Sequence, residues 1–260
     1  MGCNAPLETA LIYYPERELR MTPAEAGLAY EDLTLQTEDG VAINAWYIPY
    51  TGAETTLLWF HGNAGNMGDR VEQIRTYHDR WQVNQMVMDY RGYGRSKGKI
   101  SEEGSYEDAR TALKELTEKR GVPLDHIIIF GRSLGAAVAV QLAVEMNAAG
   151  LMLEAPFASI REMARRHYPL IGNLYPLKIR YASIDKIASI AMPLLILHGD
   201  RDEVVPYGQG QMLFEKAEEP KSFFTVRGGG HNDILMYADE SYHEKVREFF
   251  RQSIGSGAHP

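Results

Sequence analysis

The chain of 260 residues has a single cysteine, Cys3, which excludes an intramolecular disulfide and any zinc cage built from thiolates. It also lacks an apolar run near the roughly eighteen residues that span a bilayer. Its longest apolar stretches are short, such as Leu57 to Phe60 and Ile127 to Phe130. No cluster of Lys or Arg forms a stripe for a phosphate backbone, and the formal charge is -8, so nucleic acid is not an expected partner. Internal repeats and low-complexity segments are missing as well. What is there is ordinary globular usage: 45% hydrophobic and 24% charged residues, enough to bury a full core without disulfide or metal. A soluble cytoplasmic monomer is the expectation.

The opening Met1-Gly2-Cys3-Asn4 leaves two readings open. It is either a plain start or a lipidation site at Cys3 of the bacterial lipoprotein kind, exposed once a signal peptide has been cut away. Membrane association is expected only in the second case. N-myristoylation fits poorly, because Pro6 stands where that pattern takes Ser or Thr. Residues 1–30 read as an N-terminal extension, 31–253 as one globular domain and 254–260 as a flexible tail.

Within the domain, residues 32 to 48 read as two short strands around Glu38-Asp39-Gly40, an antiparallel hairpin that stops at Pro49. Continuous apolar runs follow: Leu57 to Phe60, Gln85 to Met88, Ile127 to Phe130, Leu151 to Leu153, Leu194 to Leu197 and Phe223 to Val226. Strands buried on both faces require such runs. Between them, Ser105 to Lys119, Leu134 to Met146, Tyr207 to Lys216 and Ile234 to Gln252 have the length and amphipathic spacing of crossover helices. The expectation is an α/β fold with a mostly parallel sheet flanked by helices. Pro156 to Ile190 breaks this rhythm with Pro169, Pro176, Tyr168, Tyr175 and Tyr181, and reads as a lid or cap insertion. A packed helical excursion without a role in substrate choice is the plainer alternative.

Gly131-Arg132-Ser133-Leu134-Gly135 sits between an apolar strand and a helical stretch, the context of a G-x-S-x-G nucleophile turn. A serine hydroxyl is a weak nucleophile at neutral pH and needs a base, and the base needs an orienting group. His231, in the glycine-rich loop after the last strand, is the expected base. His78 and His243 lie in helical patterns and His259 in the tail. For the acid, His198-Gly199-Asp200-Arg201-Asp202-Glu203 offers three carboxylates, of which Asp202 is selected, with Asp200 assigned to turn hydrogen bonds. Oxyanion donors are expected from the backbone N–H of Leu134, at a helix start, and of Asn63 in His61-Gly62-Asn63-Ala64-Gly65-Asn66. His61 is expected to shape that loop by local hydrogen bonds. A metal site from His198, Asp200, His231 and Asp233 is a remote alternative.

Ser133, Asp202 and His231 in that chain order, behind the His61-Gly62 loop, resemble the α/β-hydrolase superfamily from about Leu33 to Phe250. Together with Asp89-Tyr90-Arg91-Gly92-Tyr93-Gly94, these motifs resemble a group that includes the fungal bud-emergence-related proteins and eukaryotic protein depalmitoylases. The depalmitoylases carry a cysteine-rich N-terminus, and here Cys3 stands alone. The resemblance implies an eight-stranded sheet, no cofactor, and hydrolysis of an acyl ester or thioester, on a small molecule or an acylated protein, through an acyl-enzyme. Asp89 to Gly94 is expected to form a structural loop at the sheet edge. Tyr93, with Tyr90 as its alternative, and Tyr168 are weaker candidates for the substrate pocket. Peptidase action on the same residues and a non-catalytic binding module are the competing functions.

Overall fold

The computed structural model describes residues 5–168 and 176–255. Cys3, Pro169, Tyr175 and residues 256–260 lie outside the described residues. In chain order the principal elements are α1 (Ala5–Ile12), β1 (Glu31–Gln36), β2 (Ala42–Ile48), β3 (Thr56–Phe60), α2 (Val71–Trp81), β4 (Asn84–Met88), α3 (Glu102–Lys114), β5 (Ile127–Arg132), α4 (Leu134–Glu145), β6 (Gly150–Glu154), α5 (Ile160–His167), β7 (Leu194–Gly199), α6 (Tyr207–Lys216), β8 (Lys221–Val226), α7 (Ile234–Tyr237) and α8 (Glu240–Gly255). The eight strands form one sheet in the order β1-β2-β4-β3-β5-β6-β7-β8. β2 pairs antiparallel with β1 and β4, and every other neighbouring pair is parallel.

The continuous apolar runs have the cause expected of them. Every residue of β3, β5, β6 and β7 is buried, because helices cover both sides of the sheet. Alternate side chains point to opposite faces. Leu58, Phe60, Ile129 and Leu153 pack beneath α3 and α4, while Leu57, Trp59, Phe130 and Met152 face α2 and α8. On that second side Trp59 stacks on Phe130 at 5.7 Å, and Tyr77 lies flat on Trp81 at 3.9 Å.

Some boundaries differ from those read in the sequence. The stretch Ile234 to Gln252 is two helices, because Asp239 interrupts it and caps α8, accepting from the Tyr242 N–H at 3.2 Å and the Ser241 hydroxyl at 2.5 Å. α8 reaches Gly255, past the expected start of the tail. α2, read in the sequence only as a helical pattern around His78, runs from Val71 to Trp81, and its buried Val71, Ile74, Tyr77 and Trp81 follow helical spacing. The Asp89 to Gly94 segment follows β4, an interior strand, and so lies at the carboxyl end of the sheet instead of its edge. The N-terminal residues are tied to the domain: Tyr13 is buried, and Pro15 bridges to Gly65 with the Glu16 N–H donating to the Gly65 carbonyl at 3.2 Å.

From β3 the chain crosses one way to β4 and later returns to the other side of β3 as β5. Strand order therefore reverses at β3, and α/β sheets carry sites beyond the carboxyl ends of strands at such a point. Here the loop after β3 meets the turn from β5 into α4. Two glycines permit the meeting. A Cβ on Gly135 would overlap the Phe60 carbonyl, and one on Gly131 would overlap the Gly135 carbonyl. Gly135→Ala is expected to destabilise the fold by about 1–3 kcal/mol, the usual cost of overpacking, lowering Tm by several degrees in thermal unfolding. An unchanged Tm would contradict this packing account.

Candidate active site

Ser133 follows β5 directly and stands at the N-cap position of α4 with φ 53° and ψ -114°, a strained backbone for a residue with a side chain. The strain is held by the Ser133 N–H donating to the Glu154 carbonyl at 2.9 Å and the Ser133 carbonyl accepting from Ala136 at 3.0 Å. Ser133 Oγ lies 3.1 Å from His231 Nε2, and His231 Nδ1 lies 2.7 Å from Asp202 Oδ2. Asp202 Oδ1 accepts the N–H groups of Val204 and Val205 at 2.9 and 2.7 Å. These three residues are thus joined in one hydrogen-bonded chain, although they come from the ends of three different strands.

Burial pushes the Asp202 carboxyl upward, but hydrogen bonds from His198 and His231, with the Val205 N–H, outweigh it and hold the group well below the ordinary carboxylate range. An ionised carboxylate can only accept, so Nδ1 of His231 carries a hydrogen, and in the neutral imidazole Nε2 is then the nitrogen that accepts from the serine hydroxyl.

The other acidic residues hold the loops. Asp200 Oδ1 accepts the Gly228 N–H at 2.7 Å, so its bond reaches across to the histidine loop instead of staying within its own turn. Asp233 Oδ1 accepts the Gly230 N–H at 2.6 Å. His198 was expected at most as a metal ligand. It is fully buried beside Asp202, with Nε2 2.9 Å from the Val205 carbonyl and 3.5 Å from Asp202 Oδ2. Among the described residues no cluster suited to a metal occurs.

The loop after β3 is braced from several sides. His61 is buried, with Nδ1 2.7 Å from the Gly62 carbonyl and Nε2 3.2 Å from Asp89 Oδ1, as its assignment to local bonding requires. Tyr90 donates to the His61 carbonyl at 2.9 Å. The Asn63 side chain donates to the Ile12 carbonyl and accepts from the Tyr93 hydroxyl at 2.9 Å and the Tyr14 N–H at 3.3 Å. Among the described residues nothing accepts the Asn63 backbone N–H, and the N–H of Leu134, first in α4, has no acceptor within its helix. Tyr90 and Tyr93 need correction as pocket residues: both are 0% exposed, and their hydroxyls are committed to the His61 carbonyl and to Asn63. Tyr168, 62% exposed after α5, remains open to solvent. The N-terminal residues that grip Asn63 were not foreseen, since nothing in residues 12 to 14 signals a partner some fifty positions away.

With this geometry established, similarity to known proteins decides the lineage. A family model described as serine aminopeptidase S33 matches residues 52–184. The chain is 36% identical over 249 residues to the uncharacterized protein Rv2307c of Mycobacterium tuberculosis, covering 95% of this chain and 88% of that one. The chain belongs to the α/β-hydrolase family. Within it this hydrolase groups with protein bem46 of Schizosaccharomyces pombe, 33% identical over 97% of this chain and 89% of the other. Human alpha/beta hydrolase domain-containing protein 17B is 33% identical over 87% of this chain and 77% of its own length. The fold is shared with the Pyrococcus furiosus esterase Pf2001, at a TM-score of 0.79 and 20% identity over 94% of this hydrolase and 98% of the esterase.

The depressed Asp202 gives a pH signature. Its stabilising share is fully present above the unfolded value of about 3.9 and is lost as pH falls through the lower folded value. The Tm gap between the parent and Asp202→Asn is therefore expected to shrink as pH is lowered below about 4. Thermal unfolding across pH checks this, and a gap that stays constant would contradict it.

Proposed function

We propose that this hydrolase is a serine hydrolase that cleaves carboxylic esters or thioesters of acyl groups through an acyl-enzyme on Ser133. The observation that carries the reading is the unbroken chain Ser133–His231–Asp202, with 3.1 and 2.7 Å contacts. Ser133 Oγ attacks the acyl carbon as its proton passes to His231 Nε2, and Asp202 stabilises the imidazolium that results. The backbone N–H groups of Asn63 and Leu134 receive the oxyanion, where the start of α4 favours negative charge. His231 then gives its proton to the leaving alcohol or thiol. Water, activated by the same imidazole, releases the acid and restores the serine hydroxyl.

An acyl substrate suits the surroundings. Tyr14 and Val204 are 56% and 45% exposed, one beside Asn63 and the other bonded through its N–H to Asp202. Apolar side chains at such positions gain from covering a hydrocarbon chain. The segment from Pro156 to Ile190 is assigned the part of a lid. Its helix α5 reaches the acid loop, where His167 Nε2 is 2.9 Å from the Val204 carbonyl, and Tyr168 at its end is assigned to substrate contact. Tyr93 acts by holding Asn63. No cofactor enters this mechanism.

Peptidase action on the same three residues is the second reading, favoured by the serine aminopeptidase description of the matching family model. Rates on oxygen esters and thioesters of increasing acyl length, set beside matched peptide amides, separate the two. On the preferred substrate, Ser133→Ala is expected to lower kcat by about 10⁴-fold or more while the protein stays folded. Esters or thioesters outpacing amides would support the acyl reading, amides outpacing both would favour the peptidase, and full activity in Ser133→Ala would sink both.

A further inference from the structure

Arg132, directly before the nucleophile, is 4% exposed, and no step of the proposed chemistry uses it. A buried guanidinium is costly unless its charge is paired. Its Nε lies 2.9 Å from Glu154 Oε1, in an ion pair whose carboxylate is 1% exposed. Its Nη2 donates to the His231 carbonyl at 2.5 Å and sits 3.2 Å from Asn232 Oδ1. The guanidinium also lies near Gly62, where an added Cβ would come within 3.6 Å of Nη1. Glu154 is held in turn: Oε2 accepts from the Tyr242 hydroxyl at 3.1 Å, and its carbonyl accepts the Ser133 N–H at 2.9 Å.

The geometry points to Arg132 as a positioning residue that locks the histidine loop to the nucleophile turn. This inference rests on the serine-hydrolase reading above and adds the element that keeps His231 in register with Ser133. Several attachments hold the histidine loop, and three of them sit at His231 or next to it. Asp202 holds Nδ1, Asp233 holds the preceding Gly230 N–H, and Arg132 holds the carbonyl of His231 itself. The Arg132 attachment alone belongs to the residue adjoining the serine. Any displacement of the histidine loop relative to β5 must therefore break a charge-assisted, partly buried hydrogen bond. Lysine cannot replace this arrangement, because a single ammonium lacks the planar fork that meets Glu154 and the His231 carbonyl together.

Removing Arg132 alone would strand the Glu154 carboxylate, so the test uses two variants. Arg132→Met combined with Glu154→Gln removes both charges and leaves an amide oxygen to accept from Tyr242. Arg132→Lys keeps a cation opposite Glu154. In each folded variant kcat is expected to fall on the order of 10–10²-fold with KM little changed, the scale of a small misplacement of reacting groups. Amide hydrogen exchange is expected to quicken in residues 227–235 and to stay at the parental rate in β3 and β5. A merely structural role would lower Tm without this local exchange or the selective loss of kcat. Parental kcat and parental loop exchange in the folded double variant would overturn the proposal, and if that variant does not fold, the same result in Arg132→Lys overturns it. Ser133→Ala, run alongside, separates the two failures. Its inactivity beside a fully active Arg132 variant refutes only the role of Arg132, whereas its retained activity refutes the serine mechanism.

Discussion

The β5–α4 turn leaves no room for side chains at Gly131 and Gly135, and the rest of the site depends on that close approach. The turn presses against the carboxyl end of β3, which puts Ser133 beside the His61-Gly62-Asn63 loop and leaves its backbone at a strained φ of 53°. Strain of this kind persists only where the surroundings over-determine it. Here the Glu154 carbonyl, the start of α4 and the paired strands on either side of β5 do so. Rigidity at the serine in turn makes it worthwhile for two other loops to be pinned in register with it.

Polar groups do that pinning, and nearly all are buried. Asp202 and Asp200 draw the loop after β7 onto the loop after β8, while Asp89, Tyr90 and Tyr93 brace the loop after β3. Buried polar networks are valuable when satisfied and costly when broken, so each bond discourages the alternatives in which a loop swings away. The Arg132–Glu154 pair extends the network beneath the serine, and the N-terminal segment extends it above Asn63. In this arrangement residues 12 to 16 belong to the construction of the site as much as the strands do.

Much of this was legible in the sequence, for reasons that are themselves physical. Ile127 to Phe130 and Leu194 to Leu197 read as strands because a parallel sheet covered on both sides leaves no polar face to interrupt the run. Ser133 was legible because glycines at fixed offsets on a strand-to-helix turn leave a local mark, and His231 because a glycine-rich loop follows the last strand. What escaped depended on partners distant in the chain. Arg132 meets His231 from 99 residues away, and Tyr93 meets Asn63 from 30, so neither pairing has a local signature. Tyr93 therefore read as a pocket residue, although its hydroxyl is spent on Asn63. The break at Asp239 was missed because the apolar spacing continues across it while one carboxylate restarts the helix.

The central claim is that Ser133 carries the acyl group during turnover. The most direct test is rapid acid quenching of the protein mixed with a chromogenic acyl ester, followed by digestion and mass measurement of the peptide containing Ser133. The account predicts an acyl mass on that serine, formed within the first turnover and absent from Ser133→Ala. Turnover with no acyl mass on that peptide, or with the acyl group on another residue, would contradict it.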